Sequence, residues 1–315
     1  MQAEVGRCEG GKQSVKILGI SCGRRNGNGE VLLKEACLEA HRLGAEIEII
    51  RLQDYEIKPC TGCESCSMAM GRGETEIECV IKDDAGELLK KILWNNYGLI
   101  IAAPVYHLRS SGNLVNLTDR MLPYLFARQK QTYFEKGRAS AAISVGGGEP
   151  EWTPMGLLLI NLFLAEHSII VDQMQANFCS RPGMVVLDEN ALERARRLGR
   201  NVVEAMKKPV AERRFLGEET AVSCPVCHLN IVQIPERLPD ISCPICDVRG
   251  RIVLEGDKMT VYWDEDTVRN YRFSEYGIKK HLELIKSTHA RAQRESEKIK
   301  ERMKKYQEIP LKLPG

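Results

Sequence analysis

Over its first 210 residues the chain alternates between two periodicities, and this constrains its fold more than any other feature. Short apolar runs at 15–23 (VKILGISCG), 45–52 (AEIEIIRL), 97–107 (YGLIIAAPVYH), 139–148 (ASAAISVGGG) and 168–175 (SIIVDQMQ) read as strands. Apolar residues at helical spacing mark 29–44, 83–96, 112–127, 154–166 and 189–208; the first ends in a glycine stop, and the second carries acidic residues at its positive end. Each helix returns the chain across the sheet, so neighbouring strands run parallel. The predicted fold is α/β, a doubly wound five-stranded parallel sheet with helices on both faces. Ligands of such sheets bind outside the carboxyl ends of the strands, where the strand order reverses.

Near Pro209 the pattern breaks. The predicted organisation is a sheet domain over 1–210, a small β-rich module over 211–265 and a helical tail over 266–315. Residues 222–263 hold short β-rich runs with too few apolar residues for an independent core, so the module needs a metal or a disulfide. From Ser274 to Gln307 the chain is dense in Lys, Arg and Glu with sparse Leu, Ile and Met. This reads as a charged helix whose narrow apolar stripe docks on the body or on a second subunit.

Composition narrows the function. A net charge of +2 over 315 residues leaves no electrostatic footprint for nucleic acid, and no apolar run approaches the roughly 20 residues of a membrane span. The N-terminal stretch MQAEVGRCEGGKQS lacks an apolar signal core, so a cytoplasmic location is expected. In a reducing compartment, clustered cysteines read as metal ligands rather than disulfides. Eight of the twelve cysteines fall in two groups, Cys60, Cys63, Cys66 and Cys79, then Cys224, Cys227, Cys243 and Cys246. Cys8, Cys22, Cys37 and Cys179 are scattered, and Cys37 and Cys179 read as small buried hydrophobes.

In the first group, two C-x2-C steps in series with a fourth cysteine further on match the ligand pattern of a [4Fe–4S] cluster. Zinc and a redox-active dithiol set are the alternatives. The second group, CPVC and CPIC with fifteen residues between them, has the paired knuckles of a tetrahedral tetrathiolate site. Zinc in a ribbon and a rubredoxin-like iron centre both fit. His228 and Asp247 stand where a rubredoxin-like knuckle usually carries glycine, which favours zinc. With four thiolates completing the tetrahedron, His228 is not expected to be a ligand.

Three loops gather at one sheet edge. The first, SCGRRNGNG, turns tightly into a helix, so backbone N–H groups with Arg24 or Arg25 form an anion site. It is neither a Walker A loop nor a dinucleotide fingerprint. The second and third, APVYHLRSSGNL and SVGGGEPEW, offer a proline-fixed turn, an aromatic, a histidine and bare glycine backbone, surfaces suited to a flat heteroaromatic ring.

Taken in order, KILGIS…R…N, CxxCxxC…CVIKDD, AAPVY…L…DR and SVGGG resemble the iron–sulfur flavoproteins of the flavodoxin-like, NADPH-dependent FMN reductase superfamily. The resemblance covers roughly residues 15–205. It implies a flavodoxin-like fold, FMN, a [4Fe–4S] cluster with Cys79 as fourth ligand, and a homodimer or homotetramer. It also implies that Ser21, Cys22, Arg24, Asn26 and Asn28 form the phosphate loop. Pro104, Val105, Tyr106 and His107 would hold the isoalloxazine, with Gly146, Gly147 and Gly148 in the third loop. This chain departs from the family in having Cys22 where a serine is usual, His107 after Pro-Val-Tyr, and EPEWTP after the glycines. The last departure argues against direct NAD(P)H binding and puts Trp152 near the outer face of the flavin. His107, with Tyr106, is the candidate proton donor.

The function expected is an oxidoreductase of an anaerobic host. It would pass electrons from a ferredoxin-like donor through the [4Fe–4S] cluster to FMN and on to a small organic or quinone-like acceptor. The alternatives are an NAD(P)H-dependent FMN or quinone reductase, and a redox-sensing binding module.

Overall fold

In the computed structural model, residues 15–127, 137–236 and 239–307 are described; Cys8 and the last residues of the charged tail lie outside them. In chain order the elements are β1 (Lys16–Ser21), α1 (Asn28–Arg42), β2 (Glu46–Arg51), α2 (Ser65–Gly71), α3 (Ala85–Trp94), β3 (Gly98–Tyr106) and β4 (Arg109–Ser110). They continue with α4 (Gly112–Asp119), α5 (Leu122–Ala127), β5 (Ala139–Val145), α6 (Gly156–Ala165), β6 (Ile169–Ala176) and α7 (Glu189–Lys207). The remainder is β7 (Asp240–Ser242), β8 (Arg249–Glu255), β9 (Lys258–Trp263), α8 (Glu265–Arg269), α9 (Glu275–Arg294) and α10 (Ser296–Gln307). The described residues fall into two units, 15–55, 95–115 and 137–220 in one, and 56–94, 116–127, 221–236 and 239–307 in the other.

The first unit is the parallel sheet that the alternation predicts. Its strands lie in the order β2-β1-β3-β5-β6, all parallel, and the two-residue β4 folds back antiparallel on the end of β3. Setting β4 aside, this is the flavodoxin order, and the chain reverses its direction across the sheet between β1 and β3. β1, β3 and β5 are buried along nearly their whole length, which is why they read as continuous apolar runs, whereas edge strand β2 is largely exposed.

One face of the sheet is covered by α1 and α7. Leu32, Leu33 and Ala36 of α1 and Leu198, Val202 and Val203 of α7 pack with Ile17, Ile100, Ala141, Ile143 and Val171. The two helices touch backbone to backbone: a Cβ on Gly199 would sit 2.0 Å from the Ala36 carbonyl oxygen, so only glycine fits there. α6, apolar on nearly every side, packs on β5 and β6. Asp172, buried in β6, accepts from Arg194 (3.0 Å) and Asn201 (2.8 Å) of α7 and ties that helix to the sheet.

In the second unit, β7, β8 and β9 form an antiparallel sheet. The single helix predicted over 112–127 is two helices, interrupted at Arg120 and Met121. Pro123 has no N–H to donate, so it is tolerated only in a first turn, and α5 starts one residue before it. The charged tail is likewise two helices broken at Glu295; α9 begins at a Ser274 cap whose hydroxyl accepts from the Gly277 amide (3.1 Å). α9 lies against α2, and a Cβ on Gly71 would come within 2.9 Å of the His289 ring. Among the described residues no helix is long and apolar enough to cross a membrane.

Candidate flavin cleft and metal centres

Two cavities open at the carboxyl ends of β1, β3 and β5 and share Val105 and Gly147 in their walls. The first, about 250 Å³, is lined by Gly23, Arg24, Gly27, Asn28, Gly29 and Glu30 after β1, by Pro104, Val105 and Tyr106 of β3, by Gly147, and by Cys179, Ser180, Arg181 and Pro182. The second, about 450 Å³, is lined by Val105, His107, Leu108, Gly146, Gly147, Gly148, Glu149, Trp152 and Thr153. They lie at the β1/β3 reversal, where this sheet topology holds its ligands.

The first cavity is built for an anion. The loop after β1 closes with Gly27 N–H donating to the Arg24 carbonyl (3.1 Å), and Asn26 takes a left-handed φ of 55°. The 15-residue α1 then starts at Asn28, so its unpaired amides and positive dipole end face the cavity alongside Arg24 and Arg181. Glu30 also lines the cavity, yet its charge is consumed elsewhere. It accepts from Arg51 Nε (3.1 Å), from Lys34 Nζ (2.6 Å) and from the Asn26 amide (3.2 Å). Burial alone would push its carboxyl up, but Arg51 and Lys34 outweigh burial and bring it from 4.5 down to about 2.

Asn28 shows how the cleft is held. Its amide nitrogen donates to the carbonyls of Cys179 (2.9 Å) and Arg181 (2.8 Å), and its oxygen accepts from the Val185 amide (3.1 Å). The side chain therefore splices the start of α1 to the loop after β6. Ser21 and Cys22 are buried and do not line either cavity; burial pushes the Cys22 thiol well above its ordinary range.

The loop after β6 has no place in the three-loop expectation, although carboxyl-end geometry points to it as much as to the others. Cys179 N–H donates to the Gly146 carbonyl and Phe178 N–H to that of Gly148, each at 3.0 Å. Between them a Cβ on Gly147 would lie 3.2 Å from Ser180 Cα, so the glycines of the third loop admit the fourth. At the second cavity, His107 and Leu108 take left-handed φ of 54° and 72°, in a turn that brings β4 back onto β3. His107, Trp152 and Glu149 line one cavity with the glycines, and Trp152 is 65% exposed. Tyr106, also exposed, lines the first cavity.

Within the second unit the cysteine loop is fastened by side chains from far along the sequence. Arg120 is 1% exposed and uses its whole guanidinium. Nε donates to Cys79 Sγ (3.1 Å), Nη1 to the Lys58 carbonyl and Asp83 Oδ2 (2.9 Å each), and Nη2 to the Ile81 carbonyl (3.2 Å) and Asp83 Oδ1 (3.1 Å). Asp83 also accepts from the Lys58 amide (2.8 Å), and Asp84 from the Glu56 amide (2.7 Å). The two limbs that carry the thiols are thus pinned together. Cys60 and Cys63 are exposed, Cys66 and Cys79 partly buried. The Ser65 amide, with the Ser65 hydroxyl, holds the Cys63 thiol below its ordinary range, while burial raises that of Cys66, which also feels Cys79 and Cys60. Amide and guanidinium donors aimed at a set of thiols suit an anionic thiolate-bound cluster, so the donor set fits a [4Fe–4S] group.

The ribbon cysteines make a different site. The sulfurs of Cys224, Cys227, Cys243 and Cys246 all lie within 4.8 Å of one another and are buried; among the described residues no other group of metal-binding side chains is so tight. Cys227 Sγ and Cys243 Sγ are 3.5 Å apart, a spacing fitting two thiolates on one tetrahedral ion. The knuckles repeat one backbone plan: His228 and Asp247 N–H donate to the carbonyls of Cys224 and Cys243, 2.9 Å each. Both residues take a φ of 58°, the conformation for which glycine is usually selected. The turn forms here without glycine. The His228 ring is not one of the clustered ligands.

A family model described as NADPH-dependent FMN reductase matches residues 15–180. An iron–sulfur flavoprotein of Methanocaldococcus jannaschii is 32% identical over 202 residues, 61% of this chain and 98% of that protein. One from Archaeoglobus fulgidus is 31% identical over 195 residues, 62% and 80% of the two chains. The flavone synthase cfoJ of Aspergillus candidus is 26% identical over 293 residues, and its match to 85% of this chain and 88% of its own necessarily takes in the ribbon. In fold, a solved flavone reductase superposes with a TM-score of 0.73 at 24% identity, covering 96% of this chain and all of that one.

Proposed function

This chain belongs to the NADPH-dependent FMN reductase family and, within it, to the iron–sulfur flavoproteins, and on that premise we propose that it reduces a small conjugated organic acceptor with electrons from a ferredoxin-like protein. That it is a flavin-dependent oxidoreductase follows from the family; donor and acceptor are the proposal. The observation that carries it is the pair of joined cavities, one with an anion end made of α1 amides, Arg24 and Arg181, the other with glycine backbone, His107 and Trp152.

In this reading the first cavity holds the FMN phosphate. Val105, Tyr106 and Gly146 to Gly148 flank the ring, and Trp152 forms the wall against which a flat acceptor stacks. His107 stands at the acceptor's edge as proton donor, its imidazole being the side chain whose ordinary pKa lies nearest neutrality. Cys60, Cys63, Cys66 and Cys79 hold a [4Fe–4S] cluster, and the ribbon cysteines hold zinc or a rubredoxin-type iron. When bound, the cluster accepts single electrons and the flavin delivers them in pairs. The relative named for flavone chemistry, whose match includes the ribbon, supports a planar aromatic acceptor.

A second reading has NADPH reduce the flavin directly, and the description of the matching family model favours it. One preparation made without oxygen tests both. Metal and flavin analysis with EPR after dithionite is expected to give one FMN, about four irons with a reduced-cluster signal, and one zinc. A fifth iron in place of zinc assigns the ribbon to iron. Protein without iron overturns the donor route. Rapid NADPH oxidation without an added protein donor establishes the second reading.

A further inference from the structure

We infer that Arg120 is a positioning residue for the iron–sulfur centre, its Nε–H bond to Cys79 Sγ setting the reduction potential of the cluster. The inference rests on the assignment of a [4Fe–4S] group to Cys60, Cys63, Cys66 and Cys79. The CVIKDD and DR segments lie some forty residues apart in the chain, and the structure joins them: Asp83 from one meets Arg120 from the other.

Three observations carry it. The Nε–Sγ distance of 3.1 Å is short for a donor to sulfur. The side chain has no freedom to leave, because Nη1 and Nη2 are fixed by Asp83 and by two backbone carbonyls, and the side chains of Arg120 and Asp83 are 1% and 0% exposed. Finally, Asp83 faces the guanidinium with both oxygens, so the pair brings almost no net charge to the cluster. What remains is a directed N–H on one ligand sulfur. Such a bond draws electron density from the sulfur and stabilises the reduced, more negative cluster, which raises its potential. Cys63, by contrast, has the Ser65 amide and hydroxyl beside it, the hydroxyl oxygen 3.6 Å from its sulfur.

Full-length protein purified without oxygen and titrated redox-potentiometrically by EPR tests this. Arg120→Lys keeps a positive charge but cannot reach Sγ and the Asp83 carboxylate in the same fork. Its cluster is expected to be harder to reduce by at least tenfold in the equilibrium constant, which is about 59 mV for one electron. An unchanged potential with iron content retained overturns the inference. For a variant that loses its cluster, the unmutated protein supplies the second measurement. With arginine labelled by nitrogen-15, pulsed EPR of the reduced cluster is expected to show a nitrogen coupling carried through the N–H···S bond. Its absence in an iron-replete sample also overturns the inference. Wild-type protein without iron overturns the cluster assignment itself, a failure distinct from either.

Discussion

The two four-cysteine groups share a ligand type and differ in what holds them. In the ribbon every thiol is at most 1% exposed, and each knuckle closes on itself through backbone bonds within its own six residues, 224–229 and 243–248. In the loop two thiols face solvent, and order comes from Arg120, Asp83 and Asp84. A closed, self-contained site has the build of a structural metal. An open site fixed by a remote clamp leaves sulfur exposed, which suits the exchange of electrons with another protein proposed above. Replacing Cys243 by serine should therefore have the largest effect. Binding of a structural tetrathiolate ion contributes about 10–16 kcal/mol in small domains, and β7–β9 have little apolar core of their own. The expected outcome is proteolytic cleavage within 221–263 and loss of the ribbon metal with FMN content unchanged. A ribbon that stays resistant would show that the metal is not its support.

Asp83→Ala comes next and probes the clamp. It strands the Arg120 guanidinium without its carboxylate, and breaking a buried ion pair from one side costs about 3–5 kcal/mol. Hydrogen exchange should rise across 56–84 and stay unchanged in β7–β9. Faster exchange in the ribbon would mean that the two sites are not separately supported.

What the sequence made legible follows the same division. The strands and helices of the sheet could be read because each is a local periodicity, and both knuckles because their spacing is local. The first two residues of the pinning network, Asp83 and Arg120, were visible only as letters of two separate motifs; their bond is a matter of tertiary placement. The helix over 112–127 looks continuous because Pro123 has an apolar neighbour on either side, whereas it breaks at Arg120, whose side chain bonds the cysteine loop. The fourth loop of the candidate cleft, with Arg181, carries no glycine run of its own before Gly183 and so gave no signal; the glycines that accommodate it belong to the third loop. At the knuckles the residue type hid the backbone, since His228 and Asp247 adopt the conformation usual for glycine.

Glu30→Gln measures what a largely buried ion pair contributes where neither partner bonds a cysteine, and so scales the Asp83 result. Glu30 is 2% exposed and partnered by Arg51 and Lys34. Its neutralisation is expected to lower stability at pH 7 by about 2 kcal/mol. Because the folded carboxyl is held at about 2 against 4.5 ordinarily, the contribution is complete above about pH 4.5 and is lost as the pH falls toward 2. Urea unfolding of both proteins at pH 7, 5, 4 and 3 should therefore show a constant gap between 7 and 5 that narrows at 4 and 3. A gap independent of pH would remove the carboxylate as its cause.

The smallest effect on the fold is expected from Cys60→Ser. The side chain is exposed, and exchange of an exposed group away from caps and cores stays within about 0.5 kcal/mol. Thermal unfolding should match the parent protein with its iron removed, while iron content and the reduced EPR signal fall and the ribbon metal is retained. This is the converse of Cys243→Ser, where the metal and the local fold are lost together. If Cys60→Ser also opened 56–84 to exchange, the loop would depend on its cluster as the ribbon depends on its ion, and Arg120 with Asp83 would not be what holds it.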